Sequence, residues 1–232
     1  MDYRNTADEI ESAGDTAILP VGSVEQHGRH LPVGTDMMLA QAFADEIGRR
    51  TGATVLPCLP YSTAFEHRGK KGSYWMRNTT FFNVITDLLV NLKDQGYRKA
   101  AVIRGHGGIF VLGPALREVN AAFAPAFRAC MLDPYGTDKI LEALEPGVHI
   151  HADEMETSLM LYLHPELVHM ERAVDFVPDV PQNFLDYMPL FKLSPEGVWG
   201  CPTKGTAEKG KACFEICVCE CLAYMEKVFS LI

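Results

Sequence analysis

Long apolar runs are missing from this chain: none of its 232 residues belongs to a stretch near the ~18 apolar positions that a membrane-spanning helix needs. The first ten residues, Met-Asp-Tyr-Arg-Asn-Thr-Ala-Asp-Glu-Ile, offer neither the basic start nor the apolar segment of a secretion signal, so a cytoplasmic location is expected. Positive charge is in short supply, with 21 Lys+Arg against 30 Asp+Glu and a net charge of -9. No basic stripe exists to neutralise phosphates, which argues against nucleic acid and anionic membrane as partners. Cysteine is present but in the wrong form for disulfides. Seven is an odd number, and no secretion signal accompanies it. Cys213, Cys217, Cys219 and Cys221 cluster without the two-residue gap of a zinc site and without a nearby histidine. On a helix, Cys213, Cys217, Cys221, Tyr224, Val228 and Leu231 share a face with Ile216 at its edge, while Cys219 points elsewhere. The thiols there are expected to pack as small apolar groups, a metal or redox role being the alternative.

What is present suits a folded domain. The composition is 47% hydrophobic and 22% charged, and the length fits a single domain over 1–232. Short apolar runs alternate with longer amphipathic ones. Residues 17–22 read as a buried strand whose Pro20 interrupts the ladder or lies near an edge. Residues 36–50 read as a helix with Met37, Leu39, Ala40, Phe43, Ala44 and Ile47 inward, stopped between Gly48 and Gly52. Further strands are expected at 53–56, 100–103 and 127–132. A helix capped by Asn78 or Thr79 carries Phe82, Ile85, Leu88, Leu89 and Leu92 to Gly96, and others cover 112–123 and 154–163, the last halted by Pro165.

This alternation predicts an α/β fold with a mostly parallel sheet and helices on both faces. Ligand sites in such sheets lie beyond the carboxyl ends of the strands. From about Val174 the pattern breaks, and Pro178, Pro181, Pro189, Pro195 and Pro202 punctuate an irregular stretch (about 174–205). It either covers the site or forms a subunit contact.

Three segments carry the chemistry. Residues 22–36 follow the first strand and hold Glu25, His27, His30 and Asp36. Glu25 and His27 are two apart, which on extended backbone points them the same way. Asp36 opens a helix, where a carboxylate is also favoured as a cap and dipole partner. Residues 104–108, Arg-Gly-His-Gly-Gly, follow the third strand. Their glycines allow a close backbone approach while His106 points into the crevice, or else they form a tight turn with an incidental histidine. A phosphate cradle would need a Gly-Lys-Ser/Thr ending or Gly-x-Gly-x-x-Gly spacing, and neither is there. Residues 149–158 open a helix with His149, His151, Asp153, Glu154 and Glu156. Helix-start carboxylates are ordinary, but three in four positions beside two histidines exceed what capping requires. At one sheet edge these segments offer Glu25, His27, Asp36, His106 and Glu156. Three carboxylates and two imidazoles without a thiolate suit Zn, Mn or Fe(II). The number fits two divalent ions sharing a carboxylate, with positions left for water.

At these residues the chain resembles the creatininase (creatinine amidohydrolase) family. That family's Gly-Ser-x-Glu-Gln-His-Gly-x-His-x-Pro-x-x-Thr-Asp runs here over 22–36. Its Gly-His-Gly-Gly is 105–108, and its His-Ala-Gly-x-x-Glu-Thr-Ser is approached by 151–158. Glu66-His67 followed by Gly72-Ser73 is similar to its Glu-His…Gly-Thr stretch. The resemblance implies a Rossmann-like single domain and a cytoplasmic hydrolase with two divalent metal ions, assembled as a homo-oligomer, commonly a hexamer. Glu25 and His106 would hold one ion, His27 the other, and Asp36 would bridge them. Some members carry a Glu two residues after the middle His. Here that position is Gly108, so Glu156, in preference to Glu154, is expected to supply the last carboxylate.

Departures from the pattern lie at Arg29, Arg104, Ile109 and Asp153. They spare every expected ligand and bear on the substrate, arguing against creatinine itself. The implied reaction is hydrolysis of an amide C–N bond, in a cyclic amide of a small polar metabolite, by water activated at the metals. Glu154 or His151 would move the proton, and His30, His67 and Trp75 would contact substrate, Trp75 being equally suited to a core. The alternatives are a formamide, the C–C bond of a cyclic polyol ketone, or a non-catalytic metal-binding protein.

Overall fold

Residue alternation along the strands gives the sheet two apolar faces. In the computed structural model, which describes residues 1–231, four parallel strands are β1 (Thr16–Val21), β2 (Thr54–Val55), β3 (Lys99–Arg104) and β4 (Arg128–Leu132). Their order is β2-β1-β3-β4, with Ala17 opposite Ala100 and Ala101 opposite Cys130. Ala17, Leu19, Val21, Ala100 and Val102 point to one face; Ile18, Ala101, Ile103 and Leu132 point to the other. Both faces are buried, as a parallel sheet requires.

Helices α3 (Asn78–Asp94) and α4 (Leu112–Phe123) cover the first face with Phe81, Ile85, Leu89, Leu112, Leu116 and Val119. The second face is covered by α2 (Thr35–Thr51), α5 (Glu154–Leu163) and α7 (Ala207–Phe229). Each fully buried Leu, Ile or Phe removes enough apolar surface from water to contribute ~1.5–3 kcal/mol. Short helices α1 (Ala7–Glu11) and α6 (Leu190–Leu193) lie outside these layers. The pattern of inward residues did not reveal α1, yet a local signal exists: Thr6 and Glu9 form a reciprocal capping box.

The α/β architecture is as expected, with corrections in detail. β1 is central, so of the two readings of Pro20 the edge is excluded and the interrupted ladder stands. The Pro20 carbonyl accepts from Leu59 N at 2.9 Å, so its missing N–H faces the β2 side, where β2 has already ended. Neither Asn78 nor Thr79 caps α3, because Asn78 is already its first residue and Arg77 precedes it without a side-chain cap. On α7, Cys213, Cys217 and Cys221 are buried and Cys219 is exposed, but the stripe continues through Met225. Tyr224 and Leu231 are exposed. All seven cysteines are free thiols. No helix among the described residues is long and apolar enough to cross a membrane.

The connection leaving β1 leads to β2 on one side, and the connection leaving β3 leads to β4 on the other. The two connections diverge at the carboxyl ends of β1 and β3, opening a crevice there. The irregular stretch folds back beside it: Gly28 N donates to the Gly197 carbonyl at 3.0 Å, and His151 pairs with the buried Trp199. This stretch therefore provides cover for the crevice.

The burial of the α7 thiols sets a test. Cys219→Ser should leave stability within about 0.5 kcal/mol of the parent, whereas Cys217→Ser, which buries an unmatched hydroxyl, should cost about 1–3 kcal/mol. Urea unfolding followed by circular dichroism measures both.

Candidate metal centre

Close backbone approach brings the segments together. A Cβ on Gly22 would stand 2.6 Å from the Met37 backbone, and one on Gly105 would stand 2.6 Å from Ala40 Cβ and 2.8 Å from the Val21 carbonyl oxygen. Only glycine lets the turns after β1 and β3 rest on the first turns of α2. Asp36, in the first turn of α2, is thereby set between the two turns. Gly34 precedes the helix and the Asp36 side chain makes no cap, leaving its carboxylate for the crevice.

Asp36 faces a histidine with each oxygen. Its Oδ1 lies 3.0 Å from His27 Nε2 and its Oδ2 lies 3.1 Å from His106 Nδ1. Glu25 Oε1 lies 3.3 Å from His106 Nδ1 and 3.0 Å from His67 Nε2. Glu156 Oε2 approaches His27 Nε2 at 3.7 Å. Donor atoms within 4.8 Å of one another fall into three overlapping sets: Glu25, His67 and His106; Glu25, His27 and His151; His27, Asp36 and Glu156.

Surrounding bonds aim these groups. Ser23 Oγ donates to Glu25 Oε2 at 2.7 Å, leaving Oε1 toward the cluster. His27 Nδ1 lies 3.2 Å from the Glu25 carbonyl oxygen, so a proton there leaves Nε2 as the free nitrogen beside Asp36. Ala152 N donates to Glu156 Oε2 at 2.6 Å, and Ala152 holds a left-handed φ of 47° to do so. Yet Glu25 Oε1, His27 Nε2 and Asp36 Oδ2 are buried with no aligned hydrogen-bond partner. Buried polar atoms left so are costly, and a set of them converging from carboxylates and imidazoles matches the ligand chemistry of divalent cations.

Electrostatics agree. Burial opposes charge on His27, but Asp36 and Glu156 outweigh it and hold its pKa well above the usual value. Burial likewise opposes charge on His106, and Glu25, Asp36 and Glu66 outweigh it. Asp36 is held below the usual carboxylate range because its two histidines overcome its burial. His151 is pushed well below its usual value by burial and by the neighbouring His67 and His27. Asp153, the N-cap of α5, is pushed up to about 8 by burial and by Glu156.

A cavity of about 610 Å³ opens onto the cluster. Glu66, His67, His106, His151 and Glu156 line it, with Arg104 and, from the irregular stretch, Gln182, Asn183 and Asp186. Of the residues expected from sequence, Glu25, His27, Asp36, His106, Glu156, His151 and His67 are brought together. Three are not. Glu154 pairs with Lys209 at 2.6 Å and accepts from Glu145 N, so its carboxylate is spent on α7. His30 is buried against Thr157 Oγ1 at 2.9 Å, its pKa lowered to about 4 by burial, and it does not line the cavity. Trp75 is neither core nor cavity: it is 41% exposed and packs on Phe65 with ring centroids 4.1 Å apart. Arg29 reaches Glu196 at the surface, and Arg104 is ion-paired to Asp133.

Two residues escaped the sequence reading. Gln26 Nε2 lies 3.2 Å from His67 Nδ1 and 3.1 Å from His151 Nε2. Glu66 Oε1 lies 2.9 Å from His106 Nε2. Both sit inside recognised motifs, but nothing in their spacing distinguished them from scaffold.

Comparison with known proteins identifies the family. A family model described as creatininase, creatinine amidohydrolase, matches residues 3–225. The chain belongs to the creatininase family. It is 31% identical to a 3-dehydro-scyllo-inosose hydrolase of Thermotoga maritima, covering 92% of this chain and 76% of that one. A creatinine amidohydrolase of Pseudomonas putida is 29% identical, covering 89% and 87%. The solved Zn-Zn form of a creatininase variant is 26% identical, covers 98% of both chains and superposes with a TM-score of 0.85. This creatininase-family chain is therefore a hydrolase, and the names of its relatives already span different substrates.

The pKa directions set a pH test. His27 and His106 are raised from an unfolded value near ~6.5, so without metal their stabilisation is complete below that pH and is lost as pH rises through the folded values. Asp153, raised to about 8, acts with the same sign up to that pH. The metal-free protein should lose thermal stability as pH rises above about 7, and the metal-loaded protein, whose histidines are neutral ligands, should lose less. Thermal unfolding with and without chelator measures the difference.

Proposed function

We propose that this chain is a metal-dependent amidohydrolase that binds two divalent cations, Zn, Mn or Fe(II), and cleaves the amide C–N bond of a small, polar, cyclic metabolite. The observation that carries this reading is the buried set of unpartnered acceptors divided by Asp36. Glu25 and His106 would hold one ion, His27 and Glu156 the other, with Asp36 shared. When bound, the ions supply Lewis acidity toward a substrate carbonyl and lower the pKa of water.

The remaining work falls to side chains. His151 Nε2 donates to the Gln26 carbonyl at 2.8 Å, which leaves Nδ1 as the acceptor on the side of Glu25. Its lowered pKa keeps the ring neutral near pH 7, able to take a proton from water and pass it to the leaving nitrogen. His67, fixed between Glu25 and Gln26, lines the cavity and orients substrate. The irregular stretch closes over the crevice and limits access of bulk water. Membership of the creatininase family supports extending this proposal to a cytoplasmic homo-oligomer that acts on a small molecule.

One observation favours a second reading. Gln182, Asn183 and Asp186, with Arg104, give the cavity amide, carboxylate and guanidinium groups that match a hydroxyl-rich ring, and no tryptophan lines it among the described residues. A cyclic polyol ketone would meet these groups better than a flat lactam.

Turnover by metal-reconstituted protein of a cyclic amide, a formamide and a cyclic polyol ketone separates the readings. With whichever substrate turns over, Glu25→Gln and Asp36→Ala should reduce kcat by roughly a hundredfold or more through loss of metal. Full activity in either variant overturns the proposal.

A further inference from the structure

Gly108 and Glu66 occupy one another's space. A Cβ on Gly108 would stand 1.7 Å from Glu66 Oε1 and 2.5 Å from His106 Nε2. The absent side chain leaves a slot beside the outer nitrogen of His106, and the carboxylate of Glu66, 42 residues earlier in the chain, fills it. The contact is held from both ends. Glu66 sits in a single 3-10 turn, Phe65–His67, and Thr63 Oγ1 donates to the Gly108 carbonyl at 2.9 Å, tying that turn to the loop after β3.

His106 is thus gripped through both ring nitrogens. Nδ1 faces Asp36 Oδ2 at 3.1 Å and Glu25 Oε1 at 3.3 Å, while Nε2 faces Glu66 Oε1 at 2.9 Å. Glu66 lies on the outer side of the ring and belongs to none of the sets whose donor atoms converge within 4.8 Å. It is mostly buried, and the hydrogen bond from His106 overcomes the burial to keep its pKa low.

We propose that Glu66 is the positioning residue of the metal centre: it accepts the Nε2 proton of His106, fixes the tautomer that presents Nδ1 toward Asp36 and Glu25, and requires glycine at 108. A ligating imidazole bonded through its other nitrogen to a carboxylate is held in orientation and made more basic, and loss of such a partner costs about 10–100-fold in metal affinity. Glu66 acts through His106 and forms no bond with the ion. This assignment rests on the metal-centre reading given above.

The test uses the full chain and Zn²⁺ as probe. Zn²⁺ affinity is measured by competition with a chromophoric chelator for the parent, Glu66→Gln, Glu66→Ala and Gly108→Ala, with circular dichroism checking that each is folded. Glu66→Ala and Gly108→Ala should bind about 10–100-fold more weakly. Glu66→Gln, which keeps an acceptor oxygen at the same reach, should retain most of the affinity. In ¹⁵N-histidine-labelled, Zn²⁺-loaded protein, the His106 ring should be protonated at Nε2 in the parent and in Glu66→Gln, and that signal should shift or exchange-broaden in Glu66→Ala. Affinity and ring signal unchanged in folded Glu66→Ala overturn the proposal, as does Glu66→Gln binding as weakly as Glu66→Ala. Failure of the parent itself to bind Zn²⁺ overturns the metal-centre reading instead, so the two failures are distinct.

Discussion

The crevice gathers more buried acceptors than it has protons to share among them. Glu25, Asp36 and Glu156 meet His27, His67, His106 and His151 in a volume where most of the atoms are out of water. Ionised carboxylates in such a place are tolerable only with compensating positive charge. The raised pKa values of His27 and His106 provide part of it, and cations would provide the rest. Much of the surrounding structure serves this constraint. Gly22 and Gly105 bring two loops onto α2, Ser23 occupies the spare oxygen of Glu25, and Ala152 accepts a left-handed backbone to satisfy Glu156.

The sheet explains why the cluster lies where it does. Divergence of the connections around β1 and β3 opens the crevice at the carboxyl ends of those strands, and the two richest motifs follow them directly. The third motif comes from the start of α5, which packs against α7 and its buried thiols. The apolar core on that face therefore fixes one wall of the site. Cys213, Cys217 and Cys221 contribute by packing, and their thiols stay protonated because burial raises their pKa values.

Most of the elements were legible in the chain, as were the five residues proposed as metal ligands, which the fold brings into one crevice. Hydrophobic period identified β1, α2, α3, β3, α4, β4, α5 and α7, and polar residues without apolar periodicity at strand ends marked the site. What local sequence could not tell was direction. Glu154 and Glu156 are equivalent as helix-start carboxylates, but two positions on a helix separate them by about half a turn. Lys209 on α7 claims Glu154, and Ala152 directs Glu156 to His27. His30 and His27 share a motif, yet His30 turns to Thr157.

By itself, the sequence determined the α/β class, the family and the identity of a carboxylate–imidazole cluster, because these follow from residue type and short-range spacing. Tertiary structure alone decided that Asp36 faces two histidines, that Pro20 sits in a central strand, that the irregular stretch covers the crevice, and that Glu66 fills the slot left by Gly108. Those facts depend on contacts between residues far apart in the chain. The spacing of residues along the backbone carries no record of the angle at which two loops meet across a sheet.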